Sequence, residues 1–173
     1  MVQCAAQPAH PAGEARNSAP LGNRTMKQHI LASSYSEDSH RHAILADNGQ
    51  TGILYLHAPS DDPDRTGKVE AAGFAYNRVD PIDPTDVQRY HPNPPPIAKG
   101  YASKEAVCRK PKSHTWGLIW STAGEAVLLL QDDAPWAIVS LDNRRGCSRA
   151  VVTQGPWGDP WSDAVFDGTE WKG

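Results

Sequence analysis

The chain has 173 residues, a formal net charge of −3, 39% hydrophobic residues and 21% charged residues. This length and composition are sufficient for one domain with a hydrophobic core, and they exclude a wholly disordered chain. The charge balance provides no basic field that would attract nucleic acid, so no nucleic-acid partner is predicted.

The first 25 residues contain mainly Ala, Pro, Gly, Asn and Ser, without a periodic apolar pattern. Such a segment buries too little apolar surface to offset the entropy of ordering, so residues 1–25 are predicted to be a disordered leader. The first apolar stretch begins at Met26, and residues 26–173 are predicted to form a single domain. Translation that starts at Met26 is an alternative to translation that starts at Met1. We see no signal peptide, and the longest apolar run, 126–130, is too short to span a bilayer. We therefore expect a cytoplasmic protein with no membrane partner.

Strand patterns follow Met26. Two apolar runs, 42–46 and 52–58, are separated by Asp47-Asn48-Gly49, a sequence that favours a hairpin turn. Residues 68–79 alternate towards their end, which predicts a third strand.

Residues 80–99 interrupt the strand pattern with six prolines, at positions 81, 84, 92 and 94–96. Since proline lacks the backbone donor that a central strand requires, this segment is predicted to be a Pro-rich crossover loop with one helical turn at 85–90. A ligand for SH3-type domains is the alternative interpretation of the proline run.

The C-terminal third contains four short apolar runs, at 115–120, 126–131, 136–141 and 147–153, joined by turn residues. This pattern predicts an antiparallel meander. Ser162 is a plausible N-cap for a helical turn at 162–166. The predicted fold class is all-β, with the meander forming a sandwich, a partly open barrel or a coiled sheet, and with little helix.

Three histidines in the first third, His40, His42 and His57, suggest a weak metal site. His40 and His42 share one side of an extended strand, and a paired strand would supply the third imidazole. Surface histidines without a metal are the favoured interpretation, and no cofactor is predicted. A small metal-dependent enzyme that uses these three residues is the alternative function.

Other catalytic patterns are missing from the sequence. It contains no GxSxG elbow, P-loop or GxGxxG motif. Cys147 has arginines nearby that would lower the pKa of its thiol, but no neighbouring residue provides a general base, so a buried thiol is favoured. The chain is therefore predicted to be non-catalytic.

The polar signal that points to binding is an arginine-rich turn with Arg144, Arg145 and Arg149, followed by a Pro/Gly loop that carries Trp157 and Trp161. Arginine forks bind carboxylates and phosphates, whereas a solvated hairpin tip is the alternative. The two tryptophans either fix the loop to the sheet or form a contact patch.

Arg and Trp are enriched at interface hot spots, so the chain is predicted to be a soluble domain that binds another protein, with an inhibitor or immunity-type protein as one form of this function. Bacterial immunity proteins include small, mildly acidic β-rich proteins without a catalytic signature, although no motif connects this chain to them.

Overall fold

A computed structural model describes residues 27–173, so the predictions for the leader and for Met26 lie outside the described residues. The described chain forms two sheets with very little helix, which confirms the all-β prediction; the sheets do not close into a barrel. No helix within residues 27–173 has the length and apolar character needed to cross a membrane.

The first sheet is an antiparallel meander in which neighbours in the chain are neighbours in space. Its strands are β1 (His29–Ser36), β2 (Arg41–Asp47), β3 (Thr51–His57) and β4 (Val69–Asn77). The turn after β2 follows the prediction, because Gly49 adopts a φ of +88° and its N–H is bonded to the carboxylate of Asp47 at 2.6 Å.

The second sheet has the order β5 (Trp116–Trp120), β6 (Ala126–Gln131), β7 (Ala134–Ser140), β8 (Cys147–Ser148) and β9 (Asp159–Pro160). Strands β5 to β8 pair antiparallel, which confirms the predicted meander, whereas β9 runs parallel to β8. The predicted strand 147–153 is shortened to two residues because Ala150 and Val151 instead pack into a separate apolar cluster.

The two sheets pack face to face around the main core, with β4 on β7 and β8, and β1 on β5. Its largest fully buried aliphatic side chains come from both layers: Leu45, Leu54, Leu56, Val127, Leu129 and Val139. The second sheet is also covered on its outer face, where Leu128, Ile138 and Cys147 pack against the C-terminal segment. Burial on both faces explains why β6 is a continuous apolar run and not an alternating one.

The crossover between the sheets is held by a smaller core. The side chain of Asn77 bonds to both backbone groups of Ile97, donating to its oxygen at 2.9 Å and accepting from its nitrogen at 2.7 Å. Two short 3-10 helices, Pro84–Tyr90 and Pro111–Ser113, lie in this segment, and the first confirms the predicted helical turn.

A short helix, α1 (Asp163–Asp167), follows the second sheet. The Ser162 hydroxyl accepts a bond from the Val165 N–H at 3.3 Å, which confirms the predicted N-cap.

Candidate functional site

Trp157 is an interior residue. Only 4% of it is exposed, its ring centroid lies 5.0 Å from that of Tyr101, and its indole N–H donates to the Pro95 carbonyl at 3.3 Å. The smaller core around it also contains Ile97 and Val151. Of the two roles that the sequence left open, fixing the loop to the body of the domain matches this environment.

Trp161, four residues later, is only half-buried and supports Arg149. The guanidinium carbon of Arg149 lies 4.5 Å from the centre of the indole ring, a cation–π geometry. The Nε of Arg149 also donates to the Pro135 carbonyl at 2.7 Å. The guanidinium is therefore held from two sides, while its terminal nitrogens have no partner among the described residues.

Arg149 and Trp161 line a surface groove of about 520 Å³. The other lining residues are Ser103, Glu105, Trp136, Val151, Val152 and Pro160. The indole N–H of Trp136 donates to the Ala75 carbonyl at 2.7 Å, and that of Trp161 donates to Asp163 at 2.7 Å. Both indoles have thus satisfied their polar atoms within the domain, and they offer apolar surface to the groove.

Two further groove residues, Ser103 and Val152, contribute an unpaired hydroxyl and an exposed apolar side chain. The Ser103 hydroxyl is buried and has no hydrogen-bond partner in the described part of the chain. Val152 is 54% exposed and adds apolar surface to the groove. No sequence pattern pointed to Ser103, Glu105, Val152 or Trp136, because only the folded chain brings them beside Arg149 and Trp161.

The three predicted arginines have different surroundings. Arg145 lies 3.8 Å from the carboxylate of Asp159, whose other oxygen accepts a bond from Asn143 at 3.0 Å. Arg144 is exposed, and its backbone carbonyl accepts a bond from the Ala72 N–H at 2.9 Å. The structure therefore brings Arg149 and Trp161 together, and it connects Arg145 to the groove wall only through Asp159, the neighbour of Pro160.

Between the two loop tryptophans, the backbone of the loop comes into close contact with the arginine-rich hairpin tip at residues 145–146. Gly158 has a φ of +113°, and a Cβ at this position would lie 2.7 Å from the Arg145 carbonyl oxygen. Beyond it, the Asp159 N–H donates to the Gly146 carbonyl at 2.9 Å. Glycine at 158 thus lets the loop contact the hairpin tip, with Trp157 on the inner side and Trp161 beside the groove.

The three candidate metal-ligating histidines do not form a common site. Each ring bonds to a different neighbour: His40 to the Tyr35 hydroxyl (3.1 Å), His42 to the Pro63 carbonyl (2.7 Å) and His57 to the Gly67 carbonyl (2.8 Å). Across residues 27–173, no three His, Cys, Asp or Glu side chains are grouped so that they could hold a metal ion. His42 and His57 instead attach the polar loop after β3 to the first sheet.

Cys108 and Cys147 are buried free thiols. Burial raises the pKa of each thiol above its ordinary value. Because the thiolate is the reactive form, the environment of Cys147 disfavours a nucleophile and agrees with the predicted buried thiol.

No protein-family model matches the chain, and no curated protein or solved structure is significantly similar to it. A function is therefore inferred from the groove and from the charges around it.

Proposed function

We propose that this chain is a non-catalytic domain that binds another protein, and that the groove of Arg149 and Trp161 is its contact site. The observation that carries the proposal is the state of Arg149. Its guanidinium is fixed by Trp161 on one side and by the Pro135 carbonyl on another, while its terminal nitrogens are open to a ligand.

A guanidinium held in this way suits a carboxylate. The fork of arginine matches the two oxygens of an Asp or Glu side chain, and little rotamer freedom remains to be lost when they bind. Trp161 and Val152 lie beside it and supply apolar area, so the expected partner surface has an acidic side chain next to an apolar one. Trp and Arg are also the residue types that most often dominate the binding energy of an interface.

The lining of the groove supports a binding role. Its one hydroxyl, on Ser103, has no hydrogen-bonded base within residues 27–173. An inhibitor or immunity-type protein acts through binding alone and needs only such a contact surface, so we propose this form of the function.

A side-by-side capture experiment from the native host tests the proposal. The full-length wild type, Arg149→Ala, Trp161→Ala and a matched control, Arg65→Ala, are immobilised at equal density, and the recovered partner is identified and titrated by calorimetry. Arg65 is an exposed arginine in the loop after β3. We expect each groove variant to weaken binding about tenfold or more, as hot-spot truncations do, and Arg65→Ala to leave the affinity unchanged.

Arg149→Lys separates the shape of the guanidinium from its charge. It should lose most of the affinity lost by Arg149→Ala, because an ammonium group neither forms the fork nor stacks equally well on the indole. Denaturation curves of every variant establish that the fold is intact. Equal affinity of all five proteins would contradict the proposed site. Recovery of no partner, together with turnover in a broad hydrolase screen, would contradict the proposed function.

A further inference from the structure

A second cleft, of about 510 Å³, lies between β1 and the turn at residues 109–113. Leu31 and Pro111 give it an apolar wall, and Asp47, Arg78, Lys110 and Lys112 give it charge. It shares no lining residue with the groove of Arg149 and Trp161.

The acidic group in this cleft is already engaged. Asp47 is 1% exposed, and its oxygens accept bonds from the Tyr76 hydroxyl and the Gly49 N–H, each at 2.6 Å. Burial, reinforced by the bond to Asp47, raises the pKa of Tyr76 well above its ordinary value, so the phenol remains a donor. Arg78 approaches the same carboxylate at 3.7 Å, so Asp47 holds this guanidinium at the cleft.

The two lysines stand on a fixed turn. The Lys110 carbonyl accepts bonds from the Ser113 N–H at 2.9 Å and from its hydroxyl at 2.7 Å. The indole N–H of Trp116 donates to the Pro111 carbonyl at 2.8 Å. Neither Lys110 nor Lys112 forms an ion pair in the part of the chain that the structure describes.

The charges of the cleft leave a local positive excess. Its four cationic side chains are Arg78, Arg109, Lys110 and Lys112; the carboxylates that balance them are Asp47 and Asp80, the latter bonded to Arg109 at 2.6 Å. A net charge of +2 is thus concentrated in one concave region of a chain whose overall charge is −3. A phosphate monoester, with a charge of about −1.5 to −2 at neutral pH, matches this excess better than a monoanion does.

We propose that this cleft binds a phosphate monoester with an apolar body. The phosphate lies against Arg78, Lys110 and Lys112, and the apolar body lies against Leu31 and Pro111. The volume is within the range of small-molecule sites, which are about 300–1,000 Å³. This site is independent of the proposed protein contact, since the two share no residue.

Nuclear magnetic resonance titration of the ¹⁵N-labelled full chain with phenyl phosphate tests the proposal. The Trp116 indole N–H is the reporter because it bonds to the cleft wall, and the Trp161 indole N–H is the internal reference. We expect saturable shifts at Trp116 and at residues 109–113 without a shift at Trp161. Benzoate, which lacks the second charge, and inorganic phosphate, which lacks the apolar body, should each bind about tenfold more weakly, the effect of losing roughly one charge-assisted contact or one buried apolar group.

Paired variants distinguish the site from a general response to charge. Lys110→Ala/Lys112→Ala should weaken phenyl phosphate binding by more than about tenfold, because two charge-assisted contacts are lost. Arg65→Ala/Lys68→Ala, which removes two exposed cations from another loop, should leave the affinity unchanged.

A phosphotyrosine peptide identifies the source of the phosphate: tighter binding than phenyl phosphate indicates a phosphorylated side chain, and equal binding indicates a free small molecule. Shifts that do not saturate, that occur equally at Trp161, or that persist in the lysine variant would overturn the proposal.

Discussion

Trp157 and Trp161 belong to the same loop and have nearly the same local sequence, yet their environments are opposite. Trp157 is buried in the smaller core with its N–H bonded to the Pro-rich crossover. Trp161 is half-buried and carries the guanidinium of Arg149 on its face. The difference teaches that local sequence does not decide whether a tryptophan in a Pro/Gly loop is buried. The residues that the rest of the chain packs against the indole decide it.

Replacing Trp157 by Ala should have the largest effect on stability. Removal of a buried indole leaves a cavity between the crossover and the residues after β8, and such truncations cost about 3–5 kcal/mol. Urea denaturation followed by circular dichroism measures the loss. If Trp161→Ala proved more destabilising than Trp157→Ala, the assignment of the two rings would be reversed.

Gly158→Ala should have the next largest effect, because Gly158 forms the close backbone contact that lies between Trp157 and Trp161 in the chain. The substitution places a Cβ 2.7 Å from the Arg145 carbonyl at a φ of +113°, and a strained backbone position of this kind costs about 1–3 kcal/mol. Gly49→Ala is the matched control, since Gly49 also has a positive φ but has no atom within 4 Å of the added Cβ. Equal losses in the two variants would show that the contact with the hairpin tip contributes nothing.

Trp161→Ala should cost less than Trp157→Ala, about 1–2 kcal/mol, because the half-exposed ring packs on Phe166 and makes one cation–π contact with Arg149. It should nevertheless expose Cys147, because Trp161 packs on the cluster that contains this thiol. Alkylation by iodoacetamide at neutral pH, with the modified peptide identified by mass spectrometry, should be faster at Cys147 and unchanged at Cys108. An equal increase at both thiols would indicate general unfolding.

Arg145→Ala should have the smallest effect, about 0.5 kcal/mol, because its exposed guanidinium lies 3.8 Å from the partly buried carboxylate of Asp159, which keeps its bond from Asn143. Thermal denaturation at low and high salt measures it. A larger loss that salt abolishes would show that this pair helps to hold the loop against the hairpin tip.

Local patterns were sufficient to predict much of the fold. The turn at Gly49, the meander around β6 and the N-cap at Ser162 depend on neighbouring residues, and all three are observed. Elements that depend on partners far away in the chain were predicted less well. Strand β1 has few apolar residues and is ordered by pairing with β2, while β8 ends after two residues because the chain turns into the smaller core.

The candidate site was predictable only in part. Arg149 and Trp161 were selected for their residue types, but nothing local indicated that the Pro135 carbonyl and Trp136 would join them from β7. The cleft of Asp47 and the two lysines gave no sequence signal, because its charges come from three separate segments.

The sequence by itself determined the all-β class, the succession of turn-linked strands and the choice of residue types suited to binding, since these depend on alternation, on backbone preferences and on side-chain chemistry. The tertiary structure alone decided which tryptophan is buried, which arginine is held in place with its fork open, and which cations share a cleft. Those outcomes depend on contacts between segments far apart in the chain, such as the bond from Trp157 to Pro95, which are 62 residues apart. They also depend on the space that each packed layer leaves for its neighbour.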